Sequence, residues 1–136
     1  SRNFLVMVES EIGHLRRHKG DEAAAEAIYR RTIRGWQDLG HQAAVANQLE
    51  TFAFLASHQG RARRAAMLLG AAEAQREYLH VDMLPNERLE YESEVAALRE
   101  AMAAEVLAEA WGAGRGLDMD AAVELALNRE GVDDSG

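Results

Sequence analysis

Apolar residues recur along most of this chain at intervals of three and four, the spacing that lines up one face of an α-helix. The clearest stripe is Ala25, Ile28, Tyr29, Thr32, Ile33, Trp36 and Leu39, which predicts a helix closed by Gly40. A helix over 2–18 precedes it, with Phe4, Leu5, Val8, Ile12 and Leu15 at helical spacing. Gly20 suits a left-handed C-terminal position, and Asp21 suits the N-cap of the following helix. A third helix is expected over 41–58, with Val45, Leu49, Phe52, Ala53 and Ala56 inward and Gly60 closing it. The fourth, over 61–78, presents Ala65, Leu68, Leu69 and Ala72. Pro85 fits the first turn of a fifth helix, where its missing N–H is not needed; Tyr91, Val95, Leu98 and Met102 form its stripe. A short sixth helix carries Val106, Leu107, Ala110 and Trp111. Asp118 caps a last helix holding Val123, Ala126 and Leu127, and the 129–136 tail is expected to fray.

Composition supports this reading. The chain has 136 residues, is 48% hydrophobic and contains a single proline. That length fits one domain, and so few turn breakers fit an all-α chain better than a β fold. There is no cysteine, which excludes disulfides, thiolate metal sites and a thiol nucleophile. No apolar run approaches the length of a membrane span, and no signal-peptide pattern opens the chain, so a cytoplasmic protein without a membrane partner is expected. The start at Ser1 rather than Met leaves room for a longer parent protein. Charge is uneven: residues 1–80 hold 11 Lys/Arg against 9 Asp/Glu, whereas residues 81–136 hold 4 against 14. An acidic balance of this kind argues against direct contact with nucleic acid, which needs a basic surface.

The first four helices contain one unit twice. Aligning "SEIGHLRRHKGDEAAAEAIYRRTI" with "ETFAFLASHQGRARRAAMLLGAAE" pairs Gly20 with Gly60, Ala25 with Ala65, and Tyr29 with Leu69. Ile12 and Phe52 precede them, each followed by a small residue, Gly13 or Ala53. Small residues let two antiparallel helices touch, glycine makes the turn, and the large residues lock the pair. This unit resembles the tetratricopeptide repeat. Departures are Glu9 and Leu49 at the usual tryptophan position, Gln37 at the usual late proline, and a 40-residue spacing rather than about 34. From 65 onward, "AAMLLGAAEAQRE", "LPNERLEYESEVAALREAM" and "EVLAEAWGAGRGLDMDAAVELAL" are similar to the closing segment of bacterial LuxR-type and AfsR-like multidomain transcriptional regulators, and of related cyclase or kinase fusions to an ATPase. The resemblance implies an all-α, tetratricopeptide-like domain over 1–136. Two antiparallel hairpins would occupy 1–80 and about three capping helices 81–128. It also implies a sensing or docking role beside a nucleotide-dependent switch, with DNA binding and ATP hydrolysis belonging to other domains. No phosphate-binding G-x-x-x-x-G-K-[ST] loop occurs.

Candidate chemistry is sparse. His14 and His18 stand four apart, on one helical face, but a metalloprotease helix needs a glutamate next to its first histidine, and Leu15 stands there. His18 and His58 occupy equivalent places at helix ends, where histidine interacts favourably with the last carbonyls. The glycines of "GAGRG" follow a helix rather than a strand, so a helix stop outweighs a phosphate cradle. Glu87, Glu90 and Glu94 share a face that is expected to be solvated. Trp36 and Trp111 sit in apolar stripes and are expected in the core. No catalytic residue, metal or cofactor is expected.

If the repeat register holds, the first helix of each hairpin lines a concave groove through Met7, Ser10, His14 and Arg17, and through Asn47, Glu50, Phe54 and Ser57. Phe54 stands off the core stripe of its helix, and an apolar ring among polar groups suits peptide or helix docking. Filling of the groove by the C-terminal helices, or packing of Phe54 on a neighbouring repeat, remains equally open. The expected function is a non-enzymatic module that docks a protein or a neighbouring domain of its own chain, and a homodimer through repeat faces is compatible with it. The alternative is a small-molecule sensor, which an enclosed pocket lined by His14, Asn47, Glu50 and Phe54 would favour; an enzyme ranks third.

Overall fold

The computed structural model describes residues 1–128, which form seven α-helices and no strand; the 129–136 tail lies outside the described residues. The helices are α1 (Arg2–His18), α2 (Glu22–Asp38), α3 (Gln42–His58), α4 (Ala62–Leu79), α5 (Pro85–Ala101), α6 (Ala104–Arg115) and α7 (Met119–Leu127).

The first three turns are copies of one another. Gly20, Gly40 and Gly60 take φ values of +87°, +74° and +77°, the left-handed region that favours glycine. In each turn the residue after the glycine donates its N–H back to the helix: Asp21 to the Arg16 carbonyl, His41 to Trp36, and Arg61 to Ala56. This six-to-one bond satisfies a carbonyl that the helix end would otherwise strand. The chain therefore reverses every twenty residues, and α1 to α4 form successive antiparallel neighbours.

Small residues set how closely the helices meet. A Cβ on Gly13 would lie 2.9 Å from the Tyr29 ring, and one on Gly35 would lie 2.9 Å from Val6. Both glycines let α1 and α2 close. The tightest approach joins α4 to α6: a Cβ on Gly70 would fall 2.1 Å from the Trp111 carbonyl oxygen, and one on Gly114 would fall 1.9 Å from that of Met67. Gly114 thus belongs to a helix crossing. The "GAGRG" run continues α6 to Arg115 before the chain turns at Gly116.

The core centres on α3, in which every residue from Gln48 to Ala56 is buried. Tyr29 and Ile33 of α2, Leu68 and Leu69 of α4, and Val123 and Ala126 of α7 pack with it. Burial of each large side chain contributes about 1.5–3 kcal/mol. By contrast, α5 buries only Val95 and Leu98.

Spacing alone leaves the direction of the α1 stripe open, and α1 turns it outward: Phe4, Leu5 and Leu15 are 57%, 61% and 59% exposed, and Val8 and Ile12 are exposed as well. The buried face is the opposite one, Val6, Ser10, Gly13 and Arg17. Close packing on α2 needs small residues, and the larger side chains fall on the far side.

Candidate functional site

Arg17, at the end of α1, is buried and organises one cleft. Its Nη1 and Nη2 donate to Glu90 of α5 at 2.6 and 3.0 Å, and its Nε donates to the Tyr29 hydroxyl at 3.1 Å. Its guanidinium carbon lies 5.6 Å from the centroid of the Phe54 ring, a cation–π distance. Burial pulls its pKa down, but the bonds to Glu90 and Tyr29 outweigh burial and hold it above the ordinary value. Glu90 moves the other way: burial raises it, and the Arg17 bond and charge hold it below the usual carboxylate value.

Tyr29 passes this order on to His14, whose Nδ1 lies 2.7 Å from the same hydroxyl. The hydroxyl oxygen already accepts from Arg17, so its own proton is best satisfied by donation to Nδ1. That places the histidine proton on Nε2. Burial first, then the Arg17 charge, lowers the His14 pKa. Both effects favour the neutral imidazole.

Glu87 and Glu94, with Glu90, tie α5 across the groove. Glu87 accepts from Asn47 of α3 at 2.8 Å, and its other oxygen accepts from the Leu84 N–H at 2.8 Å, closing the first turn of α5. Glu94 meets His58 Nε2 at 2.8 Å, and His58 Nδ1 lies 2.5 Å from Glu22. Donation from both ring nitrogens requires the imidazolium. Burial lowers the His58 pKa, but the two carboxylates outweigh burial and raise it. The expectation that these glutamates form a merely solvated face is overturned, because they point at α1 and α3. The histidine reading is corrected too: His58 binds carboxylates rather than helix-end carbonyls, and His18 lies 3.4 Å from Glu90.

Beneath α5 lies a cleft of about 700 Å³. Of the eight groove residues expected from sequence, His14, Arg17, Asn47, Glu50 and Phe54 line it. Met7, Ser10 and Ser57 do not. Met7 is exposed, and Ser57 is half-buried near the end of α3. Ser10 is buried between helices, where it accepts from Trp36 Nε1 at 2.9 Å and from Gln48 Nε2 at 3.0 Å. Gln48 in turn accepts from Thr32 at 2.8 Å, so Ser10 is part of a polar lock between the hairpins. Two lining residues are more deeply set than expected. Phe54 is buried under the Arg17 guanidinium, and Glu50 is buried in a two-pronged pair with Arg76 at 2.7 and 3.0 Å. Burial raises the Glu50 pKa, and Arg76 offsets part of that rise.

Sequence reasoning missed Thr51, Glu87 and Glu90, together with Leu84 and Leu89 at the mouth. The spacing of Glu87, Glu90 and Glu94 puts them on one face, but no sequence signal says what that face meets. A second cavity, of about 500 Å³, lies beside Arg76, the 80–83 loop and Tyr91. Burial, then the Glu73 charge, pushes the Tyr91 hydroxyl up to about 12.

No protein-family model, curated protein or solved structure matches this chain. Among the described residues no group of three or more His, Cys, Asp or Glu is placed to hold a metal ion. Within the cleft the ionised groups at its centre are already consumed in pairs, Arg17 with Glu90 and Glu50 with Arg76. Around those pairs the cleft is lined by His14, Asn47, the Glu11 carboxylate and an apolar rim of Leu15, Leu84 and Leu89. Among the described residues no helix is long and apolar enough to cross a membrane.

Proposed function

We propose that this chain is a non-catalytic sensing module that holds a small molecule in the α1–α3 cleft, with α5 as its cover. The observation that carries this reading is the bridging of the groove by α5, through Glu90 to Arg17 and Glu87 to Asn47. An extended peptide needs an open trough, whereas a bridged groove leaves a cavity in the usual size range of small-molecule sites, about 300–1,000 Å³. The expected ligand is compact, with an acceptor for His14 and an apolar part for the rim.

Two features support sensing over catalysis. The central charges are satisfied by one another, Arg17 with Glu90 and Glu50 with Arg76, and the hydroxyl bonded to His14 is that of buried Tyr29, which Arg17 also holds. The cover is also weakly anchored by core contacts, so ligand occupancy can change how firmly α5 is held. Docking of a protein or neighbouring domain is the second reading, favoured by the exposed apolar face of α1. Placement in a LuxR-type or AfsR-like regulator, inside the cell, rests on the sequence resemblance alone.

The test is a thermal-shift screen of the folded chain against a metabolite panel. A hit should raise the melting temperature of the native chain and lose affinity in His14→Gln and in Leu89→Glu, an exposed change at the mouth. Hits that bind both variants at native affinity would overturn the assignment to this cleft.

A further inference from the structure

The outward face of α1 has a counterpart inside the same molecule. Forty residues on, Leu5, Val8, Ile12 and Leu15 correspond to Val45, Gln48, Phe52 and Leu55 of α3, all four buried. That face of α3 is where the first hairpin docks. Phe52 meets the Tyr29 ring at 6.1 Å, and Gln48 bonds Thr32 and Ser10. The corresponding face of α1 presents apolar residues to solvent, a contiguous stripe of the kind that marks an interaction surface.

We propose that this face is a stacking surface for one further helical hairpin of the same repeat type, docked in the register that the first hairpin uses on α3. The occupant is a further unit of the array, and the interface continues the one between α2 and α3. The second hairpin of another copy of this chain does not offer that register. In α4 the counterparts of Tyr29 and Thr32 are Leu69 and Ala72, both buried, and the Gly70–Trp111 and Gly114–Met67 contacts seat α6 against that helix. The register also specifies the chemistry of the occupant. Its aromatic or large residue at the Tyr29 position meets Ile12. Val8 stands where Gln48 makes the polar lock, so the residue at the Thr32 position of the incoming hairpin is apolar. This proposal is carried by Leu5, Val8 and Ile12, which do not line the cleft; Leu15 alone of the four belongs to both surfaces.

The experiment adds a second copy of residues 1–40 ahead of Ser1 in the full chain, at the native spacing. One version keeps the added copy unchanged and another carries Thr32→Val in that copy. Stacking is expected to protect the amides of the added second helix from hydrogen exchange. Protection should be greater with the valine. Leu5→Lys with Ile12→Lys in the original copy should abolish the protection, while far-UV circular dichroism of the unextended double variant stays native. An added hairpin that exchanges as an unfolded segment in both versions would overturn the proposal. So would a concentration-dependent dimer of the unextended chain, by sedimentation, that the same two lysines dissolve; the occupant would then be a second copy.

Discussion

Removing either member of the Arg17–Glu90 pair should be costly, but unequally so, and the inequality follows from where each side chain sits. The Arg17 side chain is 5% exposed and that of Glu90 is 31% exposed. Glu90→Ala strands a buried guanidinium with only the Tyr29 hydroxyl as a partner. Removing one member of a fully buried pair costs about 3–5 kcal/mol, and the partial exposure of this one reduces the expectation to about 2–4 kcal/mol. Arg17→Met leaves Glu90 free to take up water, leaves Tyr29 bonded to His14, and keeps an apolar stem on Phe54, so it should cost about 1–2 kcal/mol. The double variant removes both charges and should cost less than the sum, with a coupling energy of about 1–3 kcal/mol. Urea denaturation followed by circular dichroism, with the slope held equal among variants, supplies all four stabilities. The same series has a spectroscopic companion: Arg17→Met removes a charge that lowers the His14 pKa, so the His14 ring signals should titrate at higher pH. The reasoning is refuted if Arg17→Met costs as much as Glu90→Ala, or if the single effects add within about 0.3 kcal/mol.

Three further outcomes follow from other parts of the fold. Ser10→Ala strands two buried donors, Trp36 Nε1 and Gln48 Nε2, and should cost about 2–4 kcal/mol in the same denaturation assay. Gly114→Ala puts a methyl group into the Met67 carbonyl; α6 must lift from α4, at a cost of about 3 kcal/mol or more, with a blue-to-red shift in Trp111 emission as the readout. The pH dependence of the His58 bridge has a definite sign. Its folded pKa is raised above the usual 6.5, so its stabilising contribution is complete below that value and is lost as pH rises through the folded pKa. The stability gap between the native chain and His58→Gln, measured by thermal denaturation, should therefore be widest on the acidic side and close with rising pH.

How much of this was legible in the sequence depends on which contacts were local. Helix identity came through because the apolar period, the glycine turns and Pro85 act over a few residues. Gly20 and Gly60 declared themselves by alignment, and the structure adds Gly40 as a third copy of the same turn. The face of α1 did not come through. Periodicity finds an apolar stripe but not its direction, and on α1 a second face of small residues wins the close contact with α2. The cleft was half legible: repeat register located His14, Arg17, Asn47, Glu50 and Phe54. Glu87 and Glu90 lie forty and seventy-three residues from their partners. No local rule connects a glutamate of a capping helix to an arginine of the first helix. Ser10 was misplaced for a related reason, since its partners are a tryptophan of α2 and a glutamine of α3.

The central claim, a ligand cleft under α5, is tested most directly by mapping bound small molecules on the folded chain with two-dimensional amide and histidine-ring NMR. The account predicts that ligands shift the His14 ring signals together with amides near 14–17 on α1, 47–54 on α3 and 87–90 on α5. Ligands whose shifts gather instead around Tyr91 and the 80–83 loop, with His14 unmoved, would contradict it.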